Sequence, residues 1–271
     1  MTEPVLNQGR WWYQQPDGTW LLWNQDSSRW EVPEPPQGVV QRVPHLSYRD
    51  LSTRSAWLVG LLILGIAVDV VAFVSDLAEY GLISRIIRGL PVTEAQALAN
   101  DSRQGMIGLA QLITYAATAA AFVVWFWAAY ANLPALGTTN LRFGTGWAIG
   151  GWFVPILSLW RPKQLANDIW RASDPELPPG EADRWKGRDV APLLHWWWGA
   201  FLVSGWLGIA ALRQSYRAET VEQIRTVSAV QAWSDASWVV AGILAVLVVS
   251  AATRRQQARR TLIVSQGARP S

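Results

Sequence analysis

Four stretches of the chain are apolar over the length of a bilayer, and polar segments separate them. They run Ala56–Ser75, Met106–Tyr130, Leu193–Leu212 and Ala236–Thr253. Their apolar residues follow neither the alternation of a strand nor the one-sided stripe of a surface helix. Continuous apolarity over about 20 residues predicts helices crossing a membrane, because lipid leaves backbone N–H and C=O groups no partner outside their own helix. Indoles crowd the ends of these stretches: Trp57, Trp125, Trp127, Trp196, Trp197, Trp198, Trp233 and Trp238. That pattern predicts rings lying in the headgroup layer.

A fifth apolar stretch, Trp147–Trp160, is 14 residues long and is interrupted by Gly150, Gly151 and Pro155. This length suits a re-entrant segment or a short fifth span. Charge favours the former. With four spans and a cytoplasmic N-terminus, 17 of the 23 Lys and Arg fall on the cytoplasmic side and six on the other. Five spans divide them more evenly, 14 against nine. The expectation is a multi-pass protein of a bacterial plasma membrane, both termini cytoplasmic, with residues 144–160 dipping in from that face. The first 50 residues hold no apolar core of a cleavable signal.

The N-terminal region has a different grammar. Residues 10–33 (RWWYQQPDGTWLLWNQDSSRWEVP) are three short aromatic runs separated by Pro16-Asp17-Gly18 and by residues 24–28. This predicts a three-stranded antiparallel sheet with Trp20 and Leu22 on one face and Leu21 and Trp23 on the other. The stretch resembles a WW domain, with an early Trp, a late Trp30 and Pro33. It departs from that family in its closely spaced terminal Trp and in Leu21 and Leu22, which stand where tyrosines are usual. The resemblance implies that Trp12, Trp20, Trp23 and Trp30 stack a Pro-rich peptide, for which Pro33-Glu34-Pro35-Pro36 of the chain itself is one source. A small self-packing sheet and an indole patch on lipid are the other readings. The division expected is a β module over 1–33, a Pro-rich linker over 34–54, a membrane domain over 55–253 and a basic cytoplasmic tail over 254–271.

Residues 142–173 (RFGTGWAIGGWFVPILSLWRPKQLANDIWRAS), with Phe122–Asn132 and His195-Trp196-Trp197-Trp198, resemble the bacterial membrane family called domain of unknown function 4328. Its members come mostly from actinobacteria. The likeness covers roughly residues 55–255 and is carried by Trp152–Ile156 and Leu159–Pro162; Lys163 stands where members often have an aromatic. It implies a multi-spanning membrane protein and no particular activity. By their own chemistry, Gly150, Gly151, Trp152, Phe153 and Pro155 make a broken helix, and Gly146 and Gly150 allow close approach. Leu165, Ile169 and Trp170 share a helical face. A short helix along the cytoplasmic interface is expected there, with Trp160 and Trp170 in the headgroup layer and Arg161, Lys163 and Arg171 near lipid phosphates.

Composition narrows the chemistry. The 271 residues include 19 Trp and no Cys, and 16% are charged, against roughly 25% in an average soluble domain. Thiol chemistry is excluded, and a net charge of +3 is too small to argue for nucleic acid. There is no HExxH, Walker or GxSxG pattern, so no catalytic constellation, metal site or cofactor is expected. Intramembrane polar candidates are Asp69, Gln111 with Thr114 and Tyr115, and His195. Asp235 is expected to be solvated at the edge of the last span. Ala200, Ser204 and Gly208 form a close-packing ridge, a feature also suited to a homo-oligomer. The fold class expected is an all-α membrane bundle with a small β appendage. The leading functional reading is a non-enzymatic envelope protein that recruits a partner through its Trp-rich module. The alternative is a transporter or channel subunit with its polar path at 144–160 and Asp69.

Overall fold

A computed structural model describes residues 4–7, 10–15, 20–25, 27–31, 48–177 and 183–267, in two compact units, Met1–Leu46 and Ser47–Ser271. Most of the expected Pro-rich linker, including His45 and the Pro33-Glu34-Pro35-Pro36 stretch, lies outside the described residues.

The first unit is an antiparallel sheet in the order β1 (Val5–Asn7), β2 (Arg10–Gln14), β3 (Trp20–Asn24), β4 (Arg29–Glu31). The three expected strands are present, and β1 adds a fourth by pairing Leu6 with Trp11. Register puts Trp23 opposite Trp30 and Tyr13 opposite Leu21. Leu21 is buried, and the Trp30 ring meets Trp23 at 5.3 Å and Tyr13 at 5.7 Å. The β3–β4 turn is fastened by Glu31, which accepts from Ser27 Oγ (2.6 Å) and Asn24 Nδ2 (2.9 Å).

The second unit is helical: α1 (Ser52–Ile87), α2 (Glu94–Ala131), the single turn α3 (Trp147–Gly150), α4 (Arg161–Ala172), α5 (Pro192–Ser215) and α6 (Val221–Gly267). Among the described residues, α1, α2 and α6 are long and apolar enough to cross a membrane. The 24-residue α5 is not among them, because His195 and three successive indoles lower its hydropathy. Nor does 144–160 form a fifth helical span; it breaks after one turn. Apolar side chains such as Ile63, Val71, Leu112, Ile113 and Val240 face outward, as lipid requires and water disfavours.

The helices outrun the apolar stretches. At 1.5 Å per residue α1 and α2 are about 54 and 57 Å long, against roughly 30 Å of hydrocarbon. The segments expected as loops, 76–105 and 213–235, are therefore largely helix. Their turns carry matching capping boxes: Gln96 N bonds Thr93 Oγ1 while Thr93 N bonds Gln96 Oε1, and Thr220 and Gln223 repeat the exchange. The expected basic tail is also helix as far as Gly267, where α6 ends.

α1 packs against α2 and α6, and α6 against α5. A Cβ on Gly242 would stand 2.8 Å from Ile66 Cγ1, so α1 and α6 approach as closely as that glycine allows. At the end opposite the two capped turns, residues 132–177 and 183–191 close the bundle. Asn132, fully buried, accepts from Arg49 N and donates to Arg49 O, both at 2.8 Å, which fixes the start of α1 to the end of α2. Residues 48–54, expected as linker, are thus part of the bundle. Arg259 is buried and donates to the carbonyls of Leu136 (3.0 Å) and Asp174 (2.7 Å).

Two expectations about interfaces are corrected. Trp125, Trp197 and Trp198 are not headgroup anchors but core, whereas Trp57, Trp196 and Trp233 do face outward. The apolar face of α4 lies on protein rather than lipid: Leu165, Ala166 and Ile169 are buried in the core.

Candidate functional site

The second unit holds a column of polar side chains between α1, α2 and α6. On α1, Asp69, Asp76 and Glu79 recur at spacings of seven and three, which puts them on one face. Asn100, Gln104, Gln111 and Tyr115 of α2 and Ser228 and Asp235 of α6 line the facing sides. Tyr115 Oη donates to Asp69 Oδ1 at 2.5 Å, and Gln111 Nε2 bridges Asp69 Oδ1 (3.2 Å) and Asp235 Oδ1 (3.1 Å). Gln104 Nε2 bridges Asp76 Oδ1 (3.1 Å) and Glu79 Oε2 (3.0 Å). Asn100 and Ser228 complete the coordination of Glu79 at 3.0 and 2.9 Å. From Asp69 to Glu79 the column extends about 15 Å along the helix axis.

Its charges are unbalanced. Asp69, Asp76 and Asp235 are at most 4% exposed, and among the described residues none of them forms an ion pair; Arg103 acts on Asp76 only from beyond ion-pair distance. Arg103, the one cation in the column, is spent on Ser75 Oγ (2.8 Å) and Asn100 Oδ1 (2.6 Å). The carboxyl groups of Asp76 and Asp235 meet, and Oδ2 of each is buried without a donor. Among the described residues no three His, Asp or Glu side chains are grouped so as to hold a metal ion.

Asp69 also forms part of the wall of a second feature, a chamber of about 340 Å³. Apart from Tyr115 and Thr118, its remaining wall is apolar, built mainly by Phe122 of α2, Trp197 and Phe201 of α5, Trp238 of α6, and Trp152 and Phe153 of the broken segment. Trp152 is the hub. Its ring meets Phe122 at 5.4 Å, Phe126 at 5.6 Å and Phe201 at 5.9 Å, all edge to face, and so it ties α2 to α5.

The local sequence explains how Trp152 reaches that place. α3 stops at Gly151, where a Cβ would stand 2.7 Å from Trp147 O and 2.9 Å from Arg161 Cγ. After Pro155 the chain turns through Ile156 at φ +67°, ψ −53°, with Leu157 N bonded to Pro155 O at 2.7 Å. This is a γ-turn of the strained left-handed kind. Trp198 Nε1 then holds Leu159 O at 3.2 Å.

The profile of the family described as Domain of unknown function (DUF4328) matches residues 88–254, well over half of the chain. The chain belongs to the DUF4328 family. No curated protein and no solved structure matches it. The DUF4328 stretch takes in α2, the broken segment, α4, α5 and most of α6, so Gln111, Tyr115, Trp152, Trp197 and Asp235 lie inside it. It leaves out all of α1, which supplies Asp69, Asp76 and Glu79.

The residues singled out in the sequence are dispersed. Asp69 and Gln111 meet in the column with Tyr115, whereas His195 is exposed at the start of α5. In the sheet, strand alternation puts Trp12 on the face opposite Trp23 and Trp30. On α4 the basic side chains engage protein groups. The Arg161 guanidinium lies 4.1 Å above the Phe143 ring and 5.1 Å above the Trp147 ring. Lys163 Nζ donates to Asn167 Oδ1 at 2.6 Å, and burial, with Arg171 nearby, pulls its pKa down to about 8. Trp170 lies 4.7 Å beneath Arg255, Trp160 is exposed, and Arg171 is half-buried.

The ion pairs on this side carry no signal in the residue pattern. Arg142 binds both oxygens of the fully buried Asp168, whose carboxyl burial pushes up while Arg142 opposes the rise. Asp174 collects Arg188 (2.5 Å) and Arg255 (3.1 Å). Asp235 is the larger correction: expected in solvent, it is 2% exposed and turned into the bundle. Asp76 and Glu79 went unnoticed because they fall past the apolar stretch. Their spacing from Asp69 was the available signal, a polar stripe continuing along the same helical face.

Proposed function

We propose that this DUF4328 protein is a cation-coupled membrane transporter, with protons taken up through the acidic column to Asp69. The observation that carries this reading is the Asp76–Asp235 contact. Two buried carboxyl groups that face each other, each with an Oδ2 that lacks a donor, are satisfied when one proton sits between them. Bridging amides on either side, Gln111 and Gln104, connect that proton to Asp69 and to Glu79. An acid inside a membrane bundle without a cationic partner suits proton or cation traffic better than stabilisation, since an uncompensated buried charge is costly.

In this reading α5 is the fourth span. The two capped turns then lie on one side of the membrane. The start of α1, the end of α6 and residues 132–177 and 183–191 lie on the other, and the distribution of Lys and Arg supports reading that side as cytoplasmic. Protons enter from the side of the capped turns. The test is a proton gradient imposed across liposomes carrying the full chain. Wild-type vesicles should lose the gradient faster than vesicles with Asp235→Asn; equal rates would overturn the proposal.

A second reading, recruitment of a partner by the N-terminal sheet, is supported by Trp11, nearly half exposed on the face that carries Tyr13, Trp23 and Trp30. Removing residues 1–46 should then change what co-purifies from membranes; unchanged partners would count against it.

A further inference from the structure

We infer that the aromatic chamber binds a lipophilic organic cation, with its charged centre against Asp69 and its apolar body among the rings of Phe122, Trp152, Trp197, Phe201 and Trp238. The inference deepens the transporter reading and rests on it, because it names the class of cargo that Asp69 would hold when it does not hold a proton.

Three properties of the chamber select this class. First, its charge is single and negative. Asp69 is on the wall, and no Lys, Arg or His joins it there. Second, both donors to Asp69, Tyr115 Oη and Gln111 Nε2, converge on Oδ1. They fix the carboxyl group through Oδ1, and among the described residues none donates to Oδ2. Third, apart from the Tyr115 and Thr118 hydroxyls, the rest of the wall is π surface and aliphatic carbon. Ring faces attract a cation and repel an anion, and they do so most strongly where water is excluded. A small hydrophilic cation would lose its hydration without replacement, whereas a cation carried on an apolar body gains from both parts of the wall. The volume of about 340 Å³ falls at the lower end of the range for small-molecule sites and suits a compact ligand.

The apolar wall alone would also accept a lipid chain, and charge separates the two cases. Tetraphenylphosphonium and tetraphenylborate have nearly the same shape and opposite charge. Equilibrium binding of each to the detergent-solubilised full chain, corrected for uptake by protein-free micelles, needs no variant. The phosphonium ion should bind saturably and at least roughly tenfold more tightly than the borate. Asp69→Asn, checked for an unchanged elution profile, should weaken phosphonium binding by at least roughly tenfold, and Phe153→Ala, at an outward-facing part of the wall, severalfold. Equal affinity for the two ions, or phosphonium binding indifferent to Asp69→Asn, would overturn the inference. Because the assay applies no gradient, that failure would leave the proton-uptake result standing, and the converse holds too.

Discussion

Asp76 on α1 and Asp235 on α6 turn their carboxyl groups toward each other inside the helix bundle, and Oδ2 of each is buried without a donor. A shared proton accounts for this contact, and the account predicts how substitutions rank. An Asn at position 76 can donate an amide N–H to the Asp235 carboxylate, so Asp76→Asn should retain the melting temperature of the wild type. Asp76→Ala leaves Asp235 unpaired and should cost about 1–3 kcal/mol. Thermal unfolding in detergent checks the order; equal losses for the two variants would contradict it.

Ile156 sits at φ +67° with an exposed, β-branched side chain. L-residues store strain there that glycine does not. Ile156→Gly should therefore raise stability, by up to about 1 kcal/mol. A lower melting temperature would show that the Ile156 side chain contributes more than its backbone costs.

Gly242 leaves no room for a side chain against Ile66. Gly242→Val should force α1 and α6 apart and destabilise by about 1–3 kcal/mol, with the cost reduced when Ile66→Ala is added. A double variant no more stable than Gly242→Val would locate the strain elsewhere.

Two groups outside the spans give opposite pH limbs. Desolvation acts to raise the Asp174 pKa, but the Glu176 N–H, Arg188 and Arg255 outweigh it and the pKa ends lowered. Its contribution is present above the ordinary value of 3.8 and disappears as pH falls through the lower folded value. Lys163 releases its proton at about 8 in the folded chain, against 10.5 ordinarily. Between those values the unfolded chain holds more protons, so stability rises with pH. Melting temperatures across pH should show the alkaline rise in wild type and lose it in Lys163→Gln, and Asp174→Asn should flatten the acid limb.

Much of the helical fold was legible because lipid imposes one requirement on every span, and continuous apolarity answers it. The lengths were not legible. Glu79, Arg103 and Gln104 read as loop because polarity was taken to end a helix, whereas here it marks the polar stripe of helices that continue past the bilayer. Residue type alone puts Trp125, Trp197 and Trp198 at headgroups, but the same rings serve equally well as core once they have ring partners, Phe122 for Trp125 and Trp197 and Trp152 for Trp198. The two-faced sheet followed from alternation, while β1, only three residues long, offered too little pattern. Of the site, Asp69 stood out as an acid among apolar residues. Asp235 did not, because its burial depends on α1 and α2, which are more than 100 residues away in the chain.

The most direct test of the central claim is the infrared spectrum of the full chain in lipid at neutral pH, in water and in deuterium oxide. A carboxyl group that holds a proton has a C=O stretch distinct from that of a carboxylate, and the band shifts on deuteration. The account predicts such a band in wild type, removed or strongly reduced when Asp76→Asn and Asp235→Asn are combined. A wild-type spectrum with carboxylate bands alone would contradict the shared proton and the function built on it.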